Sequence, residues 1–405
     1  MLVHLGNFMT IFNKITIFLL LISTSVPVFS GDLFTDQFDG KLDASHFLSE
    51  NAYGFLPVPI IITDPSVDGG LGMTGLFFHE SKEDQAKRLE VMQDENNIEA
   101  SRSIMPPNIS AVFAAYTGNQ SYFIGGGHLG FFKQGRVRYL GGGGYGDVDI
   151  DFYGFADISL DRPVTINTSA KVLMQSLKFK LGQSAFFIGP LQRYVNADVS
   201  IVKATENFAT LSRLPNDLNN VLSTSIVTSG AGITLEYDSR NNFFSPTSGF
   251  KYEFNYLWFD KAIGSDIDYN LIEFSALNYF KLTKKWRTAF RVEVDYVEAK
   301  QVLPPFATPS ISLRGIPSAR YQGQSVALTE VELAYKINFR WEVSAFAGVG
   351  KTSDNFSELS SASSRITKGL GIRYLIARRY DFNMGIDIAK GPEDSIFYIQ
   401  AGSAW

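Results

Sequence analysis

The chain has 405 residues and a net charge of -5, so it lacks the basic surplus that nucleic-acid binding calls for. Its 34 Phe, 18 Tyr and 35 Gly, with a mean hydropathy of +0.00 and no apolar run of about 20 residues past the N-terminal region, exclude a helical membrane protein. The absence of Cys excludes disulfides and thiolate metal sites, and suits a chain that crosses an oxidising periplasm.

In chain order, Lys14 precedes the apolar run Ile15 to Ile22, and Val28-Phe29-Ser30 offers a cleavage site ahead of Gly31. Residues 1–30 read as a secretory signal peptide. Residues 31–69 contain Pro57, Pro59 and Pro65, which central strands exclude, so this segment is expected to be a periplasmic lead-in, with room for a short helix, that sits in or under the barrel. From Gly70 to Trp405 the chain breaks into strand-length pieces bounded by Gly, Asn, Asp and Pro. The expected strands are 70–79, 108–118, 120–131, 134–143, 146–157, 169–181, 183–203, 228–238, 248–260, 267–281, 286–298, 321–337, 338–352, 364–376, 379–390 and 394–405. Short connections such as Gly142-Gly143-Gly144 alternate with long ones at 80–107, 204–227, 299–320 and 353–363. Short periplasmic turns facing long outer loops are the pattern of an all-β, single transmembrane antiparallel barrel of about sixteen strands.

Alternation supports this reading. In 248–260, Phe250, Tyr252, Phe254, Tyr256 and Trp258 share one face, opposite Lys251, Glu253 and Asn255. In 286–298, Trp286, Phe290, Val292, Val294 and Tyr296 oppose Arg287, Arg291, Glu293 and Asp295. Trp258, Trp286, Trp341 and Trp405 at strand ends suit interfacial girdles. A sheet edge in hydrocarbon has unpaired backbone groups, so the last strand is expected to pair with the first. That last strand carries Phe397, Ile399 and Trp405 outward and ends on an aromatic, as an outer-membrane targeting strand does. The smaller Ala401 and Ser403 between them predict a less firmly anchored seam.

Three stretches go beyond a generic barrel. One is Gly232 to Asn242, containing Tyr237, Asp238 and Arg240, followed by Pro246-Thr247-Ser248-Gly249. The second is Leu313-Arg314-Gly315-Ile316-Pro317, and the third is Phe346-Ala347-Gly348-Val349-Gly350. In order and spacing they resemble the barrel of the BamA/TamA outer-membrane assembly superfamily, the bacterial surface antigen family. The resemblance runs from about residue 55 to the C-terminus. It places the first stretch at the turn after strand eight and the second in the long loop between strands eleven and twelve. It implies that this loop folds into the lumen, where Arg314, beside Gly315, meets acidic groups of the inner wall. Glu332, and second Glu330, lie on the inward face of the next strand and are the partners available to a planar guanidinium. The alternative for Arg314 is an exposed charge at the loop tip. The family's Asp in the third motif is Gly348 here.

The resemblance implies an outer-membrane protein of a Gram-negative envelope, aiding insertion or transport of proteins or lipids, with membrane lipids and client outer-membrane proteins as partners. The segment before the barrel has no room for POTRA domains, so the resemblance is to the short branch without them. A passive pore lined by Arg287, Arg291, Glu293 and Asp295 stays open as an alternative, as does a structural surface antigen. No enzyme, cofactor or small-molecule substrate is expected. Gly348-Val349-Gly350-Lys351-Thr352 imitates the end of a P-loop, but Ala345 stands where its first glycine belongs. The four His show no ligand spacing, and the acidic stretch 80–99 reads as a solvated loop.

Overall fold

The computed structural model of the protein describes residues 34–36, 38–45, 54–79, 107–155, 158–202, 224–243, 245–378 and 381–405. The expected signal peptide and the acidic stretch 80–99 fall outside these residues. Sixteen strands form one antiparallel sheet in simple sequence order. They are β1 (Gly54–Ile62), β2 (Gly70–His79), β3 (Asn108–Thr117), β4 (Tyr122–Phe132), β5 (Val137–Phe155), β6 (Ile158–Lys180), β7 (Phe186–Ile201) and β8 (Ser225–Asp238). The second half comprises β9 (Gly249–Phe259), β10 (Tyr269–Lys281), β11 (Trp286–Ala299), β12 (Ser325–Lys336), β13 (Trp341–Ser353), β14 (Arg365–Ala377), β15 (Phe382–Lys390) and β16 (Ser395–Ala401). The sheet curls into a nearly closed barrel. No ladder joins β16 to β1 among the described residues, so a seam remains between them.

Two expectations about strands are corrected, and the corrections cancel in the count. The proline-bearing segment 54–62 is a strand, not a lead-in. Prolines are tolerated there because β1 pairs only with β2 and its other edge faces the seam. Conversely, 134–143 and 146–157 are one strand, β5. The glycines read as a turn lie mid-strand, with Gly142, Gly143 and Gly144 opposite Gly127, Gly126 and Gly125 of β4. A Cβ on Gly144 would stand 2.6 Å from the Ile124 carbonyl oxygen, so close backbone approach, not a turn, accounts for it. Strands eight, eleven and twelve keep their expected ordinal places. The connection 80–107 does not: it joins β2 to β3 and belongs to the short-turn end, opposite the long loops.

Alternation positions everything else. Tyr252, Tyr256, Trp258, Phe274, Phe290, Val331 and Ile372 point outward and are exposed. Many inward positions pack against one another within the lumen. Towards the long-loop end, Leu257, Phe259, Tyr269, Leu271 and Val297 pack with Leu303 and Phe306 of the β11–β12 loop. Phe259 and Tyr269 stack at 4.0 Å between centroids. Below this apolar plug the lumen is charged and paired: Lys178 meets Glu236 at 2.7 Å, and the Arg193 guanidinium meets Glu273 at 2.8 Å. At the short-turn end, residues 34–36 and 38–45 belong to a small hairpin closed by a Thr35–Leu42 bridge.

Candidate functional site

The β11–β12 loop dips into the lumen as an irregular hairpin bridged at Ser310 and Gln322. Its apolar face, Ile311, Leu313 and Ile316, packs on Val326 and Leu328 of β12. Arg291 of β11 anchors the descending limb, donating to the Ser312 carbonyl at 3.0 Å and its hydroxyl at 2.7 Å. On the other limb, the Arg320 guanidinium lies 3.3 Å from the centroid of the Tyr153 ring. The Tyr321 hydroxyl donates to Glu393 of the β15–β16 connection. Burial and that carboxylate push the Tyr321 phenol up to about 12, so it stays protonated as the donor.

At the tip, Arg314 is buried and engages three carboxylates. Its Nε donates to Glu330 at 2.6 Å, and its Nη1 donates to Glu332 at 3.0 Å and to Asp387 at 2.7 Å. The ring of Phe346 lies beneath the guanidinium, 3.5 Å from centroid to Cζ. A desolvated cation needs such partners, since an unpaired one is costly. Gly315 is required by geometry: its φ is +95°, and its N–H donates to the Tyr398 hydroxyl at 2.8 Å. A Cβ there would stand 3.0 Å from the Gly391 nitrogen.

Asp387 is the residue that sequence reasoning missed. It sits on β15, fully buried, and also accepts from Arg373 of β14 at 2.5 and 2.9 Å. The pattern Ile386-Asp387-Ile388, an inward acid between two exposed isoleucines, was the available signal. It supplies the carboxylate that Gly348 lacks. Gly348 lies opposite Glu330, and a Cβ on it would meet Leu313 of the seated loop at 2.8 Å. The loop occupies the space that an acid on β13 would use. Arg287 extends the network to Glu332 at 3.2 Å and Glu342 at 2.6 Å.

The C-terminal residues divide. Phe397 is exposed on the outward face of β16, and Ile399 lies half-buried on that same face. Trp405 is not outward. β16 ends at Ala401, and Gly402, with φ +78°, turns the chain inward. Trp405 is buried in the lumen, where its Nε1 donates to Glu330 at 3.1 Å and its carbonyl accepts from Tyr279 at 3.3 Å.

The turn after β8 is a second built feature. Arg240 forks onto Asp238 at 2.9 and 3.1 Å, and Arg138 of β5 donates to the same carboxylate at 3.0 Å. Asn241 holds the far limb by accepting from the Thr247 and Ser248 N–H groups at 2.9 and 3.0 Å. Pro246 is buried within it, and Gly249, at φ +100°, brings the chain back so closely that a Cβ would lie 2.3 Å from the Ser239 carbonyl oxygen. Tyr237 faces outward and stacks on Tyr252.

The model of the Omp85 superfamily domain matches residues 190–405, just over half of the chain, and this span holds the seated loop, its acids and the turn after β8. The chain belongs to the Omp85 superfamily. Solved structures with this Omp85 fold include BamA from Haemophilus ducreyi lacking POTRA domains 1–3, at TM-score 0.52 and 13% identity, over 85% of this chain and 69% of that one. They also include CdiB from Escherichia coli, at TM-score 0.54 and 10% identity, over 85% and 62% of the respective chains. CdiB from Acinetobacter baumannii follows at 0.51 and 11%, over 86% and 59%. The chain thus spans less than two thirds of either CdiB. No curated protein matches the sequence. As an Omp85-type barrel it is similar to barrels of translocation and assembly systems, and the barrels of this family are outer-membrane proteins.

Proposed function

We propose that this barrel sits in the outer membrane of a Gram-negative envelope, with its short turns in the periplasm, and aids insertion of outer-membrane proteins by strand addition at the β1/β16 seam. The observation that carries this is the seam itself. β16 is seven residues long and leaves the wall at Gly402, while β1 holds Pro57 and Pro59. In hydrocarbon an unpaired strand edge is costly, and an edge is a template for an incoming strand. Such a mechanism needs no catalytic residue or cofactor. Membrane lipids and client barrels are the partners this chemistry suits.

Depleting the protein is expected to lower the folded level of at least one other outer-membrane barrel or to alter envelope lipids. If depletion produced neither change, the proposed function would be overturned. The pore reading is disfavoured by the apolar plug of Leu257, Phe259, Tyr269 and Val297 with Leu303 and Phe306. In planar bilayers the expected conductance is small and erratic. Large, steady steps that Arg314→Ala leaves unchanged would restore the pore reading.

A further inference from the structure

The outward faces of β12 to β16 carry three charged side chains, and all three are lysines towards the long-loop end: Lys351, Lys368 and Lys390. Lys368 and Lys390 stand directly opposite each other in the β14–β15 ladder. Alternation fixes their direction: Thr367, Asp387 and Ala389 are buried inward, whereas Lys368 and Lys390 are exposed. The surroundings of Lys368 are apolar, with exposed Ile366 and Leu370 on its own strand and Ala347 opposite on β13. Below Lys390 lies exposed Ile388, and opposite Ile388 lies exposed Phe397 of β16. Like charges directly opposite on one sheet face repel. Among the described residues, no carboxylate pairs with either lysine. Lys390 Nζ donates to the Glu393 backbone carbonyl at 3.0 Å, which leaves its charge uncompensated. The Glu393 carboxylate is turned instead to Tyr321 and Arg320.

The depth of the pair decides what can neutralise it. Tyr374, further down β14, packs edge-on against Trp341 of the short-turn aromatic girdle. The six residues from Tyr374 to Lys368, at about 3.3 Å each on a strand tilted about 40°, span about 15 Å of membrane depth. The apolar band of such a barrel is about 25 Å tall. Lys368 therefore leaves the wall inside the band, and its ammonium must rise along its own stem to meet a polar group. Since the wall supplies no acid, that group has to be an anion of the membrane itself. We propose that Lys368 and Lys390 bind the headgroup of a lipid that carries its phosphate as a monoester. Charge decides between headgroups. A phosphomonoester carries about −1.5 to −2 at pH 7 and has three acceptor oxygens, so it matches two ammonium groups at once. A phosphodiester carries a single charge and matches one. Beneath the phosphate, Leu370, Ile388 and Phe397 offer the acyl chains an exposed apolar face. The inference deepens the outer-membrane reading given above, on whose membrane placement it rests, by naming the lipid that this wall selects.

The test places the full chain in phosphatidylcholine nanodiscs with a minor fraction of phosphatidic acid, a phosphomonoester, and an equal fraction of phosphatidylglycerol, a phosphodiester. Native mass spectrometry of the released barrel counts the lipids it retains. Phosphatidic acid is expected to be retained in preference to phosphatidylglycerol; equal retention of the two overturns the proposal, and this comparison needs no variant to fold. Lys368→Gln with Lys390→Gln is expected to lower the retention of phosphatidic acid by roughly 30-fold, from about 1 kcal/mol for each lysine near a membrane surface. Lys171→Gln, which removes an exposed lysine of β6 on the far wall, is expected to leave it unchanged. An equal loss in that variant would mean attraction to basic surface at large, and overturns the site. Inorganic phosphate in excess is expected not to displace the lipid; displacement would assign the lysines to free phosphate and overturn the lipid. A chain that does not enter the nanodiscs removes the membrane placement itself, whereas entry without lipid selection overturns the lipid site alone.

Discussion

Trp405 and Glu330 meet inside the barrel: the indole Nε1–H donates to the carboxylate at 3.1 Å, 75 residues apart in sequence. The same Glu330 oxygen accepts from Arg314, so the C-terminal residues and the loop tip share one acceptor.

That placement separates the tryptophans. Trp258, Trp286 and Trp341 are exposed on the outward face, whereas Trp405 is buried. In single-tryptophan variants reconstituted in brominated lipid, fluorescence from Trp286 or Trp341 is expected to be strongly quenched. Fluorescence from Trp405 is expected to be nearly untouched. Quenching of Trp405 like the others would put it back on the membrane face.

Removing the loop cation leaves its acids unequally provided for. In Arg314→Ala, Asp387 keeps Arg373 and Glu332 keeps Arg287, but among the described residues Glu330 keeps as hydrogen-bond donor the Trp405 indole alone. Breaking a buried pair in this way costs about 3–5 kcal/mol. Denaturant unfolding of the reconstituted barrel is expected to show that loss, with the loop becoming protease-sensitive. Adding Glu330→Gln removes the stranded charge and is expected to recover a large part of it. A double variant no more stable than Arg314→Ala would show that Glu330 is not the stranded group.

Restoring the family's acid on β13 is expected to harm this chain. In Gly348→Asp the new Cβ stands 2.8 Å from Leu313 and 3.3 Å from Glu330 Cγ. Overpacking of this kind costs about 1–3 kcal/mol, and a carboxylate is added beside Glu330. Thermal unfolding should report the loss, and Leu313→Ala in the same chain should relieve part of it. A Gly348→Asp barrel as stable as the parent would mean the loop can move aside freely.

The small N-terminal hairpin docks on the β12–β13 and β14–β15 turns, where Arg340 donates to Asp39 and Asp43 at 2.6 Å each and Arg378 donates to Asp36 at 2.7 Å. This docking should depend on pH only in acid. For Asp36, burial works against the charge, but Arg378 and Arg340 outweigh it and hold the carboxyl below its usual range. For Asp39, the hydrogen bond from Arg340 does the same. A carboxyl lowered by docking stabilises the docked state fully above its free pKa of about 3.9. That stabilisation is lost as pH falls through the docked value. Asp43 completes the acidic set facing Arg340 and Arg378, and both arginines stay charged throughout. A probe at Lys41→Cys is expected to read docked and flat from pH 8 to 5 and to undock in stronger acid. Release near pH 6–7 would mean that other groups fasten the hairpin.

Period-two alternation made the barrel legible, because each strand has one lipid face and one lumen face, and Phe250 to Trp258 display both. What misled were residues whose meaning depends on a neighbour. Pro57 and Pro59 argue against a central strand, yet β1 has a neighbour on one side only. Gly142 to Gly144 resemble a turn until the facing glycines of β4 are known. Arg314, Glu330 and Glu332 come together as their spacing in adjoining elements allows. Asp387 lies 73 residues from Arg314, and nothing local marks their pairing. Trp405 continues the outward alternation in sequence, but the turn at Gly402 breaks that register before it is reached.

Asp387 has one more consequence. Its carboxylate serves Arg373 of the wall and Arg314 of the loop, and only β16 stands between its strand and the seam. Gly315 bears on the β15–β16 connection at the same height. A sideways displacement of that final hairpin therefore withdraws a ligand from the loop tip and loosens the cover above the lumen. The loop tip and the strands beside the seam are thus tied to each other, with Asp387 shared between them and the Gly315–Tyr398 and Tyr321–Glu393 hydrogen bonds beside it.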